Sequence, residues 1–302
     1  MTKVIISVIN FNGAKATIEC LKTIDELNVE KLDVKVIVLD NGSTESFEEK
    51  DIPLQKIQYE FIKSKENLGF AGGHDLIFKH ALEKMADYVM VLNNDVVLDP
   101  NCLQELVNSF KPGVGIVSPK IYFAKGYEFH KDRYKEKDLG KIIWYAGGEM
   151  DWKNVLGVHR GVDEVDNGQF GKEVEIDFAS GCCMLISKEV LEKIGLFDGR
   201  YFLYYEDNDF SQRAKKNGFK IMFTPKARLW HKNAASAGGS GSNLQDYYIS
   251  RNRLLFGLRF APSRAKIALF RESSRILFSG RKWQKKGVAD FYLRNFGKGS
   301  YK

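Results

Sequence analysis

The 302-residue sequence predicts an α/β fold in which helices cover both faces of a parallel sheet. Two observations carry this. Short β-branched runs alternate with segments of helical period through the first 121 residues. The whole-chain composition, 44% hydrophobic and 28% charged, is that of an ordinary globular protein. No apolar run approaches the ~20 residues needed to cross a bilayer. The N-terminus, MTKVIISVIN, is too short in apolar length and lacks the small-residue cleavage site of a secretory signal. Cys20, Cys102, Cys182 and Cys183 form no CxxC pair and read as buried, reduced thiols of a cytosolic protein.

Taken in order, residues 3–10 are a strand, and 14–27 show helical spacing through Ala14, Ile18, Leu21, Ile24 and Leu27. Residues 35–40 are a second strand, cut by Asn41-Gly42-Ser43, and 57–62 a third. A helix over 73–85 precedes a strand over 88–93. A helix over 100–110 has Pro100 early and Pro112-Gly113 past its end, and 115–121 is again strand-like. Ligands on such sheets bind at the carboxyl ends of the strands. Asn10, Asp40 and Asn93-Asn94-Asp95 all fall at such ends, which gathers them at one rim. Each alone also suits an Asx turn, a reading that weighs most for Asp40 in DNGS and least for Asp95.

Residues 122–172 are charged and aromatic without a period, and read as an insertion or flexible loop beside the site. A long strand over 174–187 is broken at Ser180-Gly181, and a helix follows from residue 188 with Ser187 as its N-cap. Residues 206–217 form a helix stopped by Gly218, and 219–224 a strand ahead of Pro225. The run SAGGSGS (236–242) reads as a mobile loop, and two basic helical segments close the chain.

The acidic run YYEDNDF places Glu206, Asp207 and Asp209 at a helix N-terminus, where the helix dipole favours them. The neighbouring Phe202, Tyr204, Tyr205 and Phe210 argue for partial burial, and a desolvated carboxylate is suited to general-base work. Asp95, at the rim, can ligate a hard divalent cation, Mg2+ or Mn2+, which prefers carboxylates together with substrate phosphates. A cation on a diphosphate and a base aimed at an alcohol describe group transfer from an activated nucleotide. His231, after the last strand and before the glycine-rich run, takes a metal or diphosphate role on this reading and is a packed histidine on the plainer one.

Charge is unevenly spread. Residues 251–302 carry a net +12, and the remainder −5. Arg264, Arg271, Arg275 and Lys282 share one helical face, and Ile267, Phe270 and Leu277 lie on another. This predicts an amphipathic helix lying on an anionic membrane surface. The plainer reading packs it by its apolar side.

Six segments, in order over residues 1–260, resemble the family 2 glycosyltransferases, in their rhamnosyltransferase-like branch: VIISVINFNG, VIVLDNGSTE, ENLGFAGG, LNNDV, the stretch from DFASGCC to NGFKI, and YYISRNRLLF. The resemblance implies a GT-A fold, with a Rossmann-like mixed sheet, helices on both faces and basic C-terminal helices after it. It implies a catalytic domain over 1–240, with a nucleotide-binding half (1–121) and an acceptor-binding half (122–240), and a basic helical segment over 241–302. Asn10, Asn12, Asp40, Asn67, Gly69, Gly72 and Asn94 fall on its nucleotide-sugar positions. Asp95 and His231 fall to the metal, with Asn-Asn-Asp in place of the usual acidic metal motif. Asp207 is the implied base, and Glu206 either binds the acceptor hydroxyl or shares the base role. The implied reaction inverts a sugar centre. It moves a sugar, rhamnose foremost, from a dTDP- or UDP-linked donor to a glycan or polyprenol-linked acceptor at the inner face of the cell membrane.

Other classes fit less well. A sugar nucleotidyltransferase needs a basic glycine-rich loop where INFNGAKAT stands, and a nicotinamide enzyme needs GxGxxG after the first strand. A relative that binds nucleotide or glycan without catalysis would not need the set Asp95, Glu206, Asp207 and His231. No nucleic-acid partner is expected, since core packing accounts for the aromatics of the basic tail.

Overall fold

The computed structural model describes residues 1–232 and 241–301. The first half runs β1 (Thr2–Asn10), α1 (Ala14–Ile24), β2 (Leu32–Asp40), β3 (Gln58–Lys63), α2 (Gly69–Glu83), β4 (Tyr88–Leu92), β5 (Val96–Leu98), α3 (Cys102–Asn108) and β6 (Val114–Phe123). The second half contains β7 (Ile143–Tyr145), β8 (Gly148–Asp151), β9 (Leu156–His159), β10 (Val174–Glu175), β11 (Cys183–Ser187), α4 (Lys188–Ile194), α5 (Glu206–Lys216) and β12 (Lys220–His231). Three helices close the chain: α6 (Asn243–Phe260), α7 (Ser263–Ser279) and α8 (Lys282–Tyr292).

One mixed sheet of ten strands dominates, in the order β10-β12-β6-β11-β4-β1-β2-β3, with β5 added on β12 and β7 on β6. Strands β4, β1, β2 and β3 are parallel, as the alternating strand and helix pattern requires. β11 enters antiparallel between β4 and β6 and makes the sheet mixed. Val4, Ile6 and Val8 on one face of β1, and Ile5 and Ser7 on the other, are all buried, so the strand reads as a continuous apolar run. α1 buries Thr17, Cys20, Leu21 and Ile24, the i, i+3, i+4, i+7 stripe of an amphipathic helix. The four cysteines are free and buried, as expected.

Several boundaries and assignments differ from the sequence reading. α2 begins at Gly69, four residues early, because glycine tolerates the φ of +74° that opens it. Gly73 then sits where a Cβ would come within 2.7 Å of Ile9, so tertiary approach and not helix propensity selects it. Residues 122–172 are not a plain loop: they supply β7, β8 and β9 and bury Ile142, Ile143, Tyr145, Ala146 and Val155. The stretch 174–187 is two strands in different parts of the sheet, β10 beside β12 and β11 beside β4. Ser187 occupies the N-cap of α4 without capping it, and its hydroxyl finds no partner among the described residues. β12 does not stop at Pro225 but continues to His231, with an irregularity between Thr224 and Arg228 absorbing the proline. Of the predicted loop 236–242, residues 236–240 lie outside the described residues.

The C-terminal helices pack onto this body. Phe256 of α6 stacks on Trp152 with centroids 5.9 Å apart. Gly257 of α6 lets Leu269 of α7 approach, and Gly287 of α8 lets Tyr247 of α6 approach, where a Cβ would lie 2.2 Å from the neighbour in each case.

Candidate active site

A cleft of about 640 Å³ opens at the carboxyl ends of β1 and β4. Among the residues proposed from sequence, Asn67, Gly69, Asn94, Asp95, Glu206, Asp207 and His231 line it together. Asn10, Asn12, Asp40 and Gly72 do not line it. Asn10 and Asp40 stand side by side on parallel strands, fully buried, joined by Asn10 Nδ2 donating to Asp40 Oδ1 at 3.1 Å. Asn10 Oδ1 also accepts from the Thr17 hydroxyl at 2.9 Å. Asp40 Oδ2 has no partner among the described residues. Asn12 is exposed, and its Oδ1 accepts from the amides of Thr44 and Glu45 at 2.8 and 3.1 Å, shaping the turn after β2. Gly72 lies on α2, with its Cβ direction toward Leu68.

The rim at β4 is built by sheet register. Val96, Val97 and Leu98 turn apolar again because β5 pairs with the end of β12: Val96 faces His231, Val97 faces Trp230, and Leu98 faces Leu229. That pairing carries the Asp95 carboxylate to the His231 ring, Oδ1 to Nε2 at 3.1 Å. Lys232 N donates to the Asp95 carbonyl at 2.9 Å and closes the ladder. Burial works to raise the Asp95 carboxyl, and the attraction and hydrogen bond of His231 overcome it, so the group is held below its ordinary 3.8. His231 Nδ1 is buried without a partner among the described residues, and the ring lies edge-on to Trp144 at 4.7 Å.

The opposite wall is the N-terminus of α5. Asp207 Oδ2 accepts from Gly181 N at 3.0 Å, and Oδ1 accepts from Asn208 N and Nδ2 at 2.7 and 2.9 Å. Burial raises its carboxyl, and these donors pull it partly back, so it stands above 3.8. Glu206 Oε2 is buried, with no partner among the described residues. Burial, reinforced by the adjacent Asp207 charge, raises Glu206 well above 4.5. Three N–H donors offset part of the burial at Asp207, so of this coupled pair Glu206 is the more strongly raised.

The segment before α5 is strained. Phe202, Tyr204 and Tyr205 all have φ between 64° and 73°, a left-handed conformation costly to bulky side chains. α6 holds it there. Asn252 Nδ2 reaches the carbonyls of Tyr201, Leu203 and Tyr204 at 2.9, 2.8 and 2.8 Å. The fully buried Arg251 donates to the carbonyls of Tyr201 and Gly297 at 2.9 and 2.7 Å. Gly69 fits beneath Phe202, where a Cβ would clash at 2.5 Å.

Sequence reasoning missed other parts of the cleft. Asn41, next to Asp40, is the residue that lines it, donating to Asn67 Oδ1 at 3.2 Å and Gly69 O at 3.0 Å. His74 lines it with Nδ1 2.6 Å from the Ser7 hydroxyl, and burial lowers the imidazole to about 3. Trp144 and His159 come from the stretch read as a loop, and burial brings His159 down to about 4. Asn41 was recoverable as the Asx residue beside a strand end, and Asn252 as the polar centre of RNR on a helix. Nothing local marked Trp144 or His159.

The donor set suits a divalent cation. Two ligand atoms on one octahedral edge, with bonds of ~2.1 Å, lie ~3.0 Å apart, close to the 3.1 Å between Asp95 Oδ1 and His231 Nε2. Among the described residues no group of three or more His, Cys, Asp or Glu side chains could hold an ion, so Asp95 and His231 would supply two of its ligands.

Residues 4–195 match the profile of glycosyl transferase family 2. A low-salt glycan biosynthesis hexosyltransferase of Haloferax volcanii is 26% identical over 201 residues, 65% of this chain and 59% of that protein. An N-acetylglucosaminyl-diphospho-decaprenol L-rhamnosyltransferase of Mycobacterium tuberculosis is 24% identical over 216 residues, 68% of either chain. The chain thus spans 59% and 68% of these relatives' lengths. The solved structure of GalNAc-T7 with UDP, GalNAc and Mn2+ shares the fold, with a TM-score of 0.63 over 98% of this chain and 58% of that one at 16% identity. The protein is therefore a glycosyltransferase of GT-A fold, and it belongs to glycosyl transferase family 2.

Proposed function

We propose that the chain transfers a sugar with inversion from a pyrimidine nucleoside diphosphate to a hydroxyl of a glycan or polyprenol-linked acceptor. The observation that carries this is that the Asp95–His231 pair and Asp207 line one cleft. Residues 1–121 hold the nucleotide, with Asn41, Asn67, Gly69 and Asn94 in contact and Asn10, Asn12, Asp40 and Gly72 supporting them. Residues 122–240 shape the acceptor side, and 241–302 brace it. Asp95 and His231 would hold Mg2+ or Mn2+, and such an ion supplies positive charge against the departing diphosphate.

Asp207 takes the acceptor's proton as that oxygen bonds to the anomeric carbon. The bond from that carbon to the diphosphate oxygen breaks on the opposite face and leaves its electron pair on phosphate. A carboxylate has about four lone-pair sites. Three on Asp207 are filled by N–H donors, which fix its direction and leave one for the proton. Protonated Glu206 binds the acceptor oxygen as a donor. Likeness to the mycobacterial L-rhamnosyltransferase favours rhamnose as the sugar, and the UDP and Mn2+ bound to GalNAc-T7 favour a pyrimidine nucleotide, UDP- or dTDP-linked, with a divalent ion. A polyprenol tail on the acceptor would put the reaction at the inner membrane face.

A panel of nucleotide sugars with Mn2+, Mg2+ or chelator, read by thermal shift and donor turnover, identifies the donor. Asp207→Asn should then abolish transfer and keep nucleotide binding. Loss of both together would make Asp207 structural, and binding without turnover in the native protein would leave a non-catalytic relative.

A further inference from the structure

Helix α7 buries the side chains the sequence did not single out. Ala265, Leu269 and Ser273 face the protein. Ile267, Phe270, Leu277 and Phe278 are left 53, 40, 39 and 86% exposed. At 100° per residue these four fill one arc of about 100°. The end of α8 extends the patch with Tyr292 and Leu293, 46 and 77% exposed, and Ser273 Oγ hydrogen-bonds Tyr292 Oη at 2.7 Å to join the two helices there. Six of the fourteen large hydrophobic side chains exposed among the described residues gather on this one face.

Its border is cationic. Arg264, Arg271 and Arg275 lie within about 40° of one another beside the apolar arc. All three are exposed, and none has an ion-pair partner among the described residues. Residues 263–294 contain two carboxylates, and both are engaged elsewhere. Glu272 accepts from Arg253 at 2.8 Å, and Asp290 is buried against Tyr247 and Ser300. Within residues 263–294 no other carboxylate stands beside the arginines.

We propose that α7 and the end of α8 form the face by which this protein lies on an anionic phospholipid membrane. Phe270, Leu277, Phe278 and Ile267 enter the boundary between headgroups and acyl chains, and Arg264, Arg271 and Arg275 meet lipid phosphates. No helix among the described residues is long and apolar enough to span a bilayer, so this surface lies on the membrane and does not cross it. A second copy of the chain is the poorer occupant. A two-fold contact through this patch would bring unpaired arginines of one copy toward those of the other. The inference deepens the transferase reading by placing it beside a lipid-linked acceptor, but binding is measured without any acceptor, so either can fail alone.

The full chain is floated with vesicles of phosphatidylcholine alone, or of equal parts phosphatidylcholine and phosphatidylglycerol, at physiological salt. The expected result is partition to the anionic vesicles only. Phe270→Ser with Phe278→Ser, and separately Arg264→Gln, Arg271→Gln and Arg275→Gln together, should each lower the partition ~10-fold or more. These side chains are exposed and outside the cleft, so melting temperature and donor turnover in solution should stay at native values. Should the serine variant misfold, the glutamine variant decides alone. Equal partition to both vesicle types, or native partition by the variants, overturns the proposal. So does a concentration-dependent dimer in sedimentation that the variants abolish, which would make the face a contact between copies.

Discussion

Asn252→Ala tests whether α6 positions the acidic wall of the cleft. The amide has two protons and three carbonyl acceptors, at 2.8–2.9 Å. At roughly 0.5–1.5 kcal/mol net per bond, its removal costs about 2 kcal/mol. What it restrains is larger: three non-glycine residues with φ of 64°, 68° and 73°. At about 1–2 kcal/mol each, they hold on the order of 3–6 kcal/mol of strain, which Asn252 contains together with Arg251 and the surrounding packing, so its loss lets the segment relax only in part. The melting temperature should fall by about 3 °C, the scale of such a loss in a chain of this size. The larger effect should be on turnover. Tyr205 leads directly into Glu206 and Asp207, and a displacement of about 1 Å at a reacting group costs ~100-fold. Steady-state assays on the donor found by the panel should show kcat down ~100-fold and donor KM within about twofold of native. If kcat stays within about threefold of native while the melting temperature drops, the loop does not depend on Asn252 for its catalytic shape. A rise in KM at constant kcat would place the segment in donor binding instead.

Two further outcomes follow from the electrostatics. Glu206→Gln should stabilise the fold at neutral pH, because the folded state holds a proton that the unfolded chain has lost once the pH exceeds 4.5. The gain should grow from that pH upward, vanish below it, and be read from urea midpoints at stepped pH; a pH-independent difference would deny the raised carboxyl. Asp95→Asn and His231→Ala should each abolish the extra thermal stabilisation that Mn2+ adds to bound nucleoside diphosphate, and a native-sized Mn2+ effect in both would mean that the nucleotide alone holds the ion.

Most of the nucleotide half was legible because its signals are local. The runs at residues 3–10 and 35–40 are buried on both faces, so unbroken apolar patterns mark them. The grouping of Asp95, Glu206, Asp207 and His231 was legible as a family pattern, and its physical cause lies in pairings no window can see, such as Val96 with His231. The stretch 122–172 failed because its strands are three or four residues long and its core contribution is scattered. Asp40 does end its strand beside Asn10, as read, and it does not line the cleft, since strand position fixes where a residue ends up along the sheet but not how much loop covers it. The apolar side of α7 was read correctly as a face. Which face the protein covers was decided by Gly257, whose missing Cβ admits Leu269.

The insertion of β11 between β4 and β6 has a mechanical result. Its leading turn donates Gly181 N to Asp207 and, one residue on, offers the Cys182 carbonyl to Asn93 N at 2.9 Å. A strut two residues long thus spans the gap between the acid that would take a proton and the turn that carries Asp95. Its length is set by covalent bonds, so the two ends cannot drift apart independently. Accommodating a bulkier sugar would then fall to the walls, to Trp144, Phe202 or Tyr204, and not to any widening of the gauge.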